Sequence, residues 1–501
     1  MAVATRLAGL RGFRADLAAA GLGVLAALAL PPLHLIPFLI VAFIGLHILM
    51  DAAANPVEAG RRGWWFGFGL NVIGLYWITE AILFEAARYW WLVPLAVPAL
   101  AAVMAIFIAL PAWIARHARP GLGRVLALAG AWTLFDIARQ FVATGFPWNP
   151  LGSVWTIPGV AGDALIQPAA WISVHGLTLA TVLLAGLLRL GRAGWVTGLA
   201  AMGIWAGLGV YRIKQPLPEG PGVSAILVQG NIPQGEKWSR ARAFQIFERY
   251  LEMTAGAARE AGDRATVTIW PETASPFLLE TDTAAREMIA AATNGQPALV
   301  GAVRFGAEGR PRNALFAVLA GGVTAAIYDK WHLVPFGEYQ PSWLPLGIQL
   351  VPGGGFGAGP GARTLAVPGL PPFGPLICYE TIFPGQVVDT VDRPAWLVNV
   401  TNDAWFGNSS GPRQHLASSR LRSVEEGLPL VRVANTGISV AFDARGHELG
   451  RLELNTMGVL SVPIPAALPA TVFSRFGLWL PALLAIGAML GGLVTAYRRR
   501  N

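Results

Sequence analysis

Eight stretches of this chain are apolar enough to be read as membrane spans. A helix that crosses the hydrocarbon part of a bilayer needs roughly 20 mainly apolar residues. The first stretch reads AAAGLGVLAALAL and is separated by PPLH from LIPFLIVAFIGLHILM. A helix interior seldom accommodates Pro-Pro, so these are two spans and not one. The others centre on WWFGFGLNVIGLYWITEAI, WLVPLAVPALAAVMAIFIALPAWIA, VLALAGAWTLFDIARQFVA, WISVHGLTLATVLLAGLL, WVTGLAAMGIWAGLGVY and, near the end of the chain, FGLWLPALLAIGAMLGGLVTAY. Composition agrees, with 13% charged residues against about 25% in an average soluble chain. Arg6, Arg11 and Arg14 ahead of the first run also fit a cleavable leader. Further spans follow at once, however, which favours a retained first span.

Lys and Arg gather on the cytoplasmic side of short loops. Arg6, Arg11 and Arg14 precede the first span, and Arg61 and Arg62 lie between the second and third. Arg116, Arg119 and Arg124 follow the fourth, Arg189 and Arg192 the sixth, and Arg498, Arg499 and Arg500 close the chain. The alternate loops are poorer: PPLH has no such charge, and Arg88 is set against Glu80 and Glu85. Both termini are therefore expected in the cytoplasm. The long segment between the seventh and eighth spans is expected outside, on the periplasmic face of a bacterial inner membrane. The net charge of +8 is then largely topological and does not argue for a nucleic-acid partner.

From about Pro216 to Pro465 charges become regular and the apolar runs shorten. SAILVQGNI, TVTIWPE, PALVGAVRF, FGPLICYE and AWLVNVTND read as buried strands ended by polar residues. SRARAFQIFERYLEMTAGAARE reads as a helix with Phe244, Phe247 and Leu251 on one face, and TAAREMIAAAT and GPRQHLASSRLRSVEEG as two more. NALFAVLAGGVTAAIYDKWHLV reads as a hairpin turning at Gly321-Gly322. The expected organisation is a helical membrane region over 1–215, an α/β domain over 216–465, and a closing span with its tail over 466–501.

In such sheets functional side chains gather past the carboxyl ends of strands. Four ends carry them here: Glu272 after VTIW, Lys330 after AAIYD, Cys378 after GPLI, and Asn402 with Asp403 after WLVNV. Cys378 is the single cysteine of 501 residues, so no intramolecular disulfide can form. Free Cys is more often a small buried hydrophobe than a nucleophile. Its place at the last apolar position before a polar break favours the second reading. A thiol nucleophile needs a base or a positive field. His332, His415 and His447 are candidates by residue type. Glu272 is another, because a carboxylate in a water-poor site can take a thiol proton. Lys330 would supply positive charge for the thiolate and for an oxyanion. Spacing alone does not choose among these.

WPET with Glu272, YDKWHLVPFGEY with Lys330 and Glu338, and LICYETIFP with Cys378 resemble the three signature segments of the nitrilase, or carbon–nitrogen hydrolase, superfamily. QGNIPQGEKW with Trp238, VNVTNDAWFG, RVANTG, GLYWI and GFPWNPLG extend the resemblance over the whole chain, to the membrane-embedded apolipoprotein N-acyltransferase family. The resemblance implies a polytopic helical protein of eight spans with an inserted four-layer αββα domain. It implies a Glu272–Lys330–Cys378 triad and ping-pong acyl transfer. The donor it implies is a phospholipid, phosphatidylethanolamine in the first place, and the acceptor is the α-amine of a diacylated apolipoprotein. Glu338, Tyr379 and Glu380 match supporting positions, with the Tyr379 N–H at the oxyanion. Trp238 and Asn313 match positions tied to substrate handling. Leu428 stands where the family pattern has Arg.

LVPGGGFGAGP, at 350–360, lacks the GK[ST] of a phosphate-binding loop and reads as a mobile loop beside the site. Asp136, inside the fifth span, is expected to pair with Arg139. The seven histidines show no metal-ligand spacing, so neither metal nor cofactor is expected, and a monomer is. Two other functions fit parts of the chain. One is a membrane-anchored amidase using the same triad. The other is a transporter or structural membrane protein whose outer domain only binds a partner.

Overall fold

The structure, a computed structural model, describes residues 2–84, 86–237, 239–341 and 355–494. Trp238 and residues 342–354, including the first part of the Gly-rich segment, lie outside the described residues. The chain forms two compact units. One comprises residues 1–215, 409–417 and 471–501, and the other 216–408 and 418–470. The short stretch Ser409–Ala417 thus belongs to the helical unit, which no composition shift announces.

The helical unit places a helix on each of the eight apolar stretches. These run over Gly12–Ala27, Ile36–Asp51, Pro56–Gly74, Val93–Arg116, Leu122–Ala138, Ala169–Leu187, Gly191–Ile213 and Trp479–Val494. Two helical stretches, Trp90–Arg116 and Ala169–Ile213, are long and apolar enough to cross a membrane. Ile36–Asp51 and Trp479–Val494 are shorter apolar helices. The helices meet through small residues, as helices do where no water drives them together. A side chain at Gly130 would sit 2.3 Å from the Ala485 carbonyl, and one at Gly492 2.4 Å from the Gly123 carbonyl. The closing helix is thereby seated on Leu122–Ala138. Leu199, Ile204, Val103 and Leu483 point outward and are exposed.

Several polar residues of this unit are hydrogen-bonded to one another. Asp136 pairs with Arg139 at 2.5 Å, as expected, and also accepts from Thr178 (3.2 Å) and meets His175 Nδ1 at 3.1 Å. GLYWI and GFPWNPLG, far apart in sequence, converge on Ser409–Ala417. Tyr76 Oη accepts from the Ser410 N–H (3.0 Å). Trp148 Nε1 donates to Gln414 Oε1 (2.8 Å), as does Asn149 Nδ2 (3.1 Å).

The second unit contains eleven strands among the described residues, in two sheets. The first sheet has the order β11-β1-β2-β3-β4-β5, from Ser224–Gln229 (β1), Thr266–Trp270 (β2), Ala298–Phe305 (β3), Pro311–Val318 (β4), Thr324–Asp329 (β5) and Gly458–Pro463 (β11). The second has the order β10-β9-β8-β7-β6, from Phe373–Ile377 (β6), Trp396–Thr401 (β7), Leu430–Ala434 (β8), Ser439–Phe442 (β9) and Glu448–Leu452 (β10). Strands β1, β2 and β3 run parallel, as do β6, β7 and β8, while the outer pairings are antiparallel.

Alternate residues of each strand go to opposite faces, as the pleat requires. Leu227, Ile269, Leu315, Val398, Val400 and Val431 fill the space between the sheets. Ile226, Val228, Trp270, Val300 and Phe316 face the helices Ala243–Ala261 and Thr283–Ala292. On the far face of the second sheet, Arg432 of β8 donates to Ser419 of the helix Gly411–Glu426. Helix, sheet, sheet and helix thus form four layers. The buried stripe of Ala243–Ala261 is Ile246, Phe247, Tyr250, Thr254 and Ala258. Phe244, expected on that face, is exposed, because Ile246 and Tyr250 pull the stripe to the opposite side of Phe247.

The described part of the Gly-rich segment, 355–360, is hydrogen-bonded to its neighbours. The Phe356, Gly357 and Gly359 N–H groups donate to the carbonyls of Glu338, Pro311 and Lys330, each at 2.8 Å. Leu428 is fully buried.

Candidate active site

Strand β2 ends at Trp270, and Pro271 turns the chain so that Glu272 faces inward. The turn comes so close to β3 that a side chain at Gly301 would lie 2.1 Å from the Pro271 carbonyl. Glu272 is buried. Its Oε1 accepts from Asn313 Nδ2 (2.6 Å) and Lys330 Nζ (3.3 Å), and its Oε2 from the backbone N–H of Asn402 (2.7 Å). Lys330 follows β5, fixed by its own N–H to the Asn313 carbonyl (2.8 Å). Its ammonium also reaches Glu338 Oε1 at 2.9 Å. The Val334 N–H holds the other oxygen of Glu338 at 2.8 Å. Two carboxylates therefore share one lysine and one asparagine amide. Both acceptors fix the orientation of Asn313, whose buried Oδ1 has no partner among the described residues.

Cys378 follows directly on β6 and opens the next 3-10 turn in the left-handed backbone region, at φ +52°. That conformation costs a non-glycine residue on the order of 1–3 kcal/mol and is found where function over-determines the backbone. The thiol is buried. Glu380 explains how its strand comes to lie beside Lys330. Its carboxylate accepts from Ile377 N–H (2.6 Å), just before Cys378, and from Trp331 N–H (2.7 Å), just after Lys330. The Tyr328 hydroxyl donates across both oxygens at 3.0 Å. Glu380 is thus a clamp between the two sheets.

The electrostatics separate three protonation states. Burial alone would raise the Glu272 pKa, but Lys330 and Lys237, with the Asn313 and Lys330 hydrogen bonds, hold it below the usual carboxylate value. Burial would lower Lys330, but Glu272, Glu338 and Cys378 hold it well above the ordinary lysine value. Burial and then the charge of Glu272 push the Cys378 thiol well up, against Lys330 and the Thr401 hydroxyl. Near neutrality the site therefore holds a carboxylate, an ammonium and a protonated thiol, so the thiol needs a base. Glu380 is pushed up to about 7 by burial, against the Ile377 and Trp331 N–H groups.

The groups that act most strongly on Cys378 are Glu272, Lys330 and Asp403, none of them histidine. His332 stacks on Phe383 (ring centroids 3.9 Å apart) and meets Gln386 Oε1 at 2.8 Å. His447 is bound through its backbone to Asp443, and His415 packs on Trp148 in the helical unit. Tyr379 and Glu380 follow Cys378 in a short 3-10 turn.

Sequence reasoning missed Lys237. Its side chain is buried, and Nζ donates to the Glu272 carbonyl at 2.8 Å. A signal is present in the sequence. Only three of the 37 basic residues are lysines, and two of those, Lys237 and Lys330, stand directly before a tryptophan.

Two families match the chain. Residues 22–187 match the apolipoprotein N-acyltransferase N-terminal domain, and residues 225–471 match the carbon-nitrogen hydrolase family. An apolipoprotein N-acyltransferase of Allorhizobium ampelinum is 40% identical over 486 residues, covering 91% of each chain. One of Brucella melitensis is 38% identical over 534 residues, covering 99% of each. Among solved structures, an amidase from Nesterenkonia sp. is 18% identical with a TM-score of 0.37, covering 50% of this chain and 93% of its own. With relatives 38–40% identical over 91–99% of its length, the chain belongs to the apolipoprotein N-acyltransferase family.

Proposed function

We propose that this enzyme moves a fatty acyl chain from a phospholipid, through a thioester on Cys378, to the α-amine of the N-terminal diacylglyceryl-cysteine of an apolipoprotein. The observation that carries the mechanism is the Glu272–Lys330 pair, 3.3 Å apart and buried, acting on a thiol that burial keeps protonated. Glu272 takes the Sγ proton as the thiolate attacks the ester carbonyl carbon. Lys330 and the Tyr379 N–H hold the oxyanion. Collapse breaks the acyl–oxygen bond, and the lysophospholipid leaves with the proton held by Glu272. In the second half the amine attacks the thioester and gives its proton to Glu272. The thiolate departs and recovers that proton. A water-poor site protects the thioester from hydrolysis meanwhile.

Glu338 and Asn313 orient Lys330 and Glu272, Glu380 keeps the two strand ends in register, and Trp238 and Asn313 serve the substrates. The eight apolar helices are read as eight spans in a bacterial inner membrane, with both termini cytoplasmic and residues 216–465 periplasmic. The remaining regions, 1–215 and 466–501, form the membrane part, and the enzyme works as a monomer. Phosphatidylethanolamine is the proposed donor. Both substrates are lipids, so membrane attachment brings the enzyme to them, which a soluble amide would not require.

The test supplies phosphatidylethanolamine and a diacylated lipopeptide to the purified protein in detergent micelles. Lysophospholipid and N-acylated peptide in equal amounts support transfer. Release of ammonia from simple amides, with no lysophospholipid, supports the amidase reading.

A further inference from the structure

We propose that Lys237 is a positioning residue whose ammonium balances the two active-site carboxylates, so that Cys378 can become an anion when Glu272 takes its proton. This rests on the thioester reading above and deepens it. Three observations carry the inference.

The first is charge. Glu272 and Glu338 carry two formal negative charges, and Lys330, bound to both, carries one positive charge. A thiolate or an oxyanion formed there would meet an uncompensated negative charge. Lys237 brings the set to neutrality before the reaction. It keeps it neutral afterwards, because proton transfer to Glu272 only moves the negative charge to sulfur.

The second is placement. Lys237 ends the short turn Gln234–Lys237, which is tied down on both sides of Glu272. Gln234 Oε1 accepts from Asn402 Nδ2 (2.7 Å), and the Asn402 N–H is the one that holds Glu272 Oε2. Lys237 itself donates to the Glu272 carbonyl.

The third is that the ammonium has no ordinary structural reason to be there. It is 7% exposed. Among the described residues its one acceptor is that neutral carbonyl, and no carboxylate lies within ion-pair distance. Burying a cation against a single neutral acceptor is unfavourable. Burial lowers its pKa to about 8, with Glu272 and Cys378 opposing the fall. Glu236, its neighbour in sequence, pairs with Arg242 at 2.6 Å, and Glu338 pairs with Lys330.

Lys237 is therefore charged below about pH 8 and neutral above it, and its help to Cys378 follows the same course. The experiment follows alkylation of Cys378 by iodoacetamide from pH 6 to pH 10, by intact mass, in the full-length protein in micelles. Wild type is compared with Lys237→Met and Lys237→Gln; the Gln variant is neutral but still able to donate a hydrogen bond. Below pH 8 wild type should react at least about tenfold faster than either variant, equivalent to one pKa unit. The ratio should close toward one above pH 8. A ratio that stays constant across the range shows a structural tether and overturns the proposal. So does a ratio of one throughout. Should Lys237→Met not fold, the Gln variant decides. If wild type forms no acyl adduct with phosphatidylethanolamine, the thioester reading itself fails. If wild type is acylated and the variants react like it, only the role of Lys237 fails.

Discussion

Both units bury charge, and they do so in opposite ways. In the helical unit Asp136 has its own counter-charge: Arg139 takes one oxygen, and Thr178 and His175 take the other. The cavity beside it is about 20 Å³, room for roughly one water. In the α/β unit Glu272 and Glu338 share a lysine, and among the described residues Asn313 keeps an unpaired oxygen and Lys237 meets only a carbonyl. Each carboxylate meets three partners, but Asp136 has an arginine to itself whereas Glu272 divides one lysine with a second carboxylate.

Breaking each in turn should separate them. The largest effect is on chemistry. Cys378→Ala should abolish acyl-enzyme formation, and Glu272→Gln should slow it by on the order of 10²–10⁴, the usual worth of a general base. Both are read by intact mass after exposure to phospholipid. Asp136→Asn should leave the rate per folded molecule nearly unchanged. It should cost about 3–5 kcal/mol of stability, because Arg139 is left buried without its counter-charge, and thermal unfolding in micelles checks this.

Glu380→Gln comes next. An amide cannot accept from both Ile377 and Trp331, so one buried N–H faces another N–H at a cost of about 1–3 kcal/mol. Acylation should fall by roughly tenfold to a hundredfold if that cost is taken from the alignment of Cys378 with Lys330. The smallest effect is on the helix Ala243–Ala261. Phe244→Ala should change stability by no more than about 0.5 kcal/mol, whereas Phe247→Ala should cost about 3–5 kcal/mol.

The pH dependence sharpens the same contrast. The folded-state pKa of Glu272 is held below its ordinary 4.5. Ionised Glu272 therefore contributes stability that is complete above pH 4.5 and is lost as the pH falls through the depressed value. The acid limb that belongs to Glu272 should likewise lie below pH 4.5, separate from the loss expected near pH 7 as Glu380 takes a proton, measured by adduct yield at short times.

Much of the fold and of the site is legible in the amino-acid sequence. Strands announce themselves where an apolar run meets a polar stop, as at VTIW-PE and GPLI-C, because buried parallel strands are short and uniformly apolar. The late strands β8 to β11 give weaker signals. Glu448–Leu452 is half-exposed and mixed in character, and β11 pairs with β1 across more than 200 residues. Glu272, Lys330 and Cys378 are visible as reactive types at strand ends and gain their roles from the family resemblance. Lys237 escapes notice because it sits on a loop turn, where no periodicity marks burial. The clamp by Glu380 depends on two backbone N–H groups, which nearly every residue has and no sequence displays. The expected placement of Phe244 fails for a local reason: several apolar residues compete for one stripe, and Ile246 and Tyr250 set its direction.

The central claim is that Cys378 carries the acyl chain and that Glu272 makes this happen. Its most direct test is peptide-level mass spectrometry of the full-length protein after incubation with phosphatidylethanolamine alone. The account predicts a long-chain acyl adduct on the peptide containing Cys378, absent in Cys378→Ala and discharged by a diacylated lipopeptide. An acyl group found on another residue, or N-acylated peptide formed by Cys378→Ala, would contradict it.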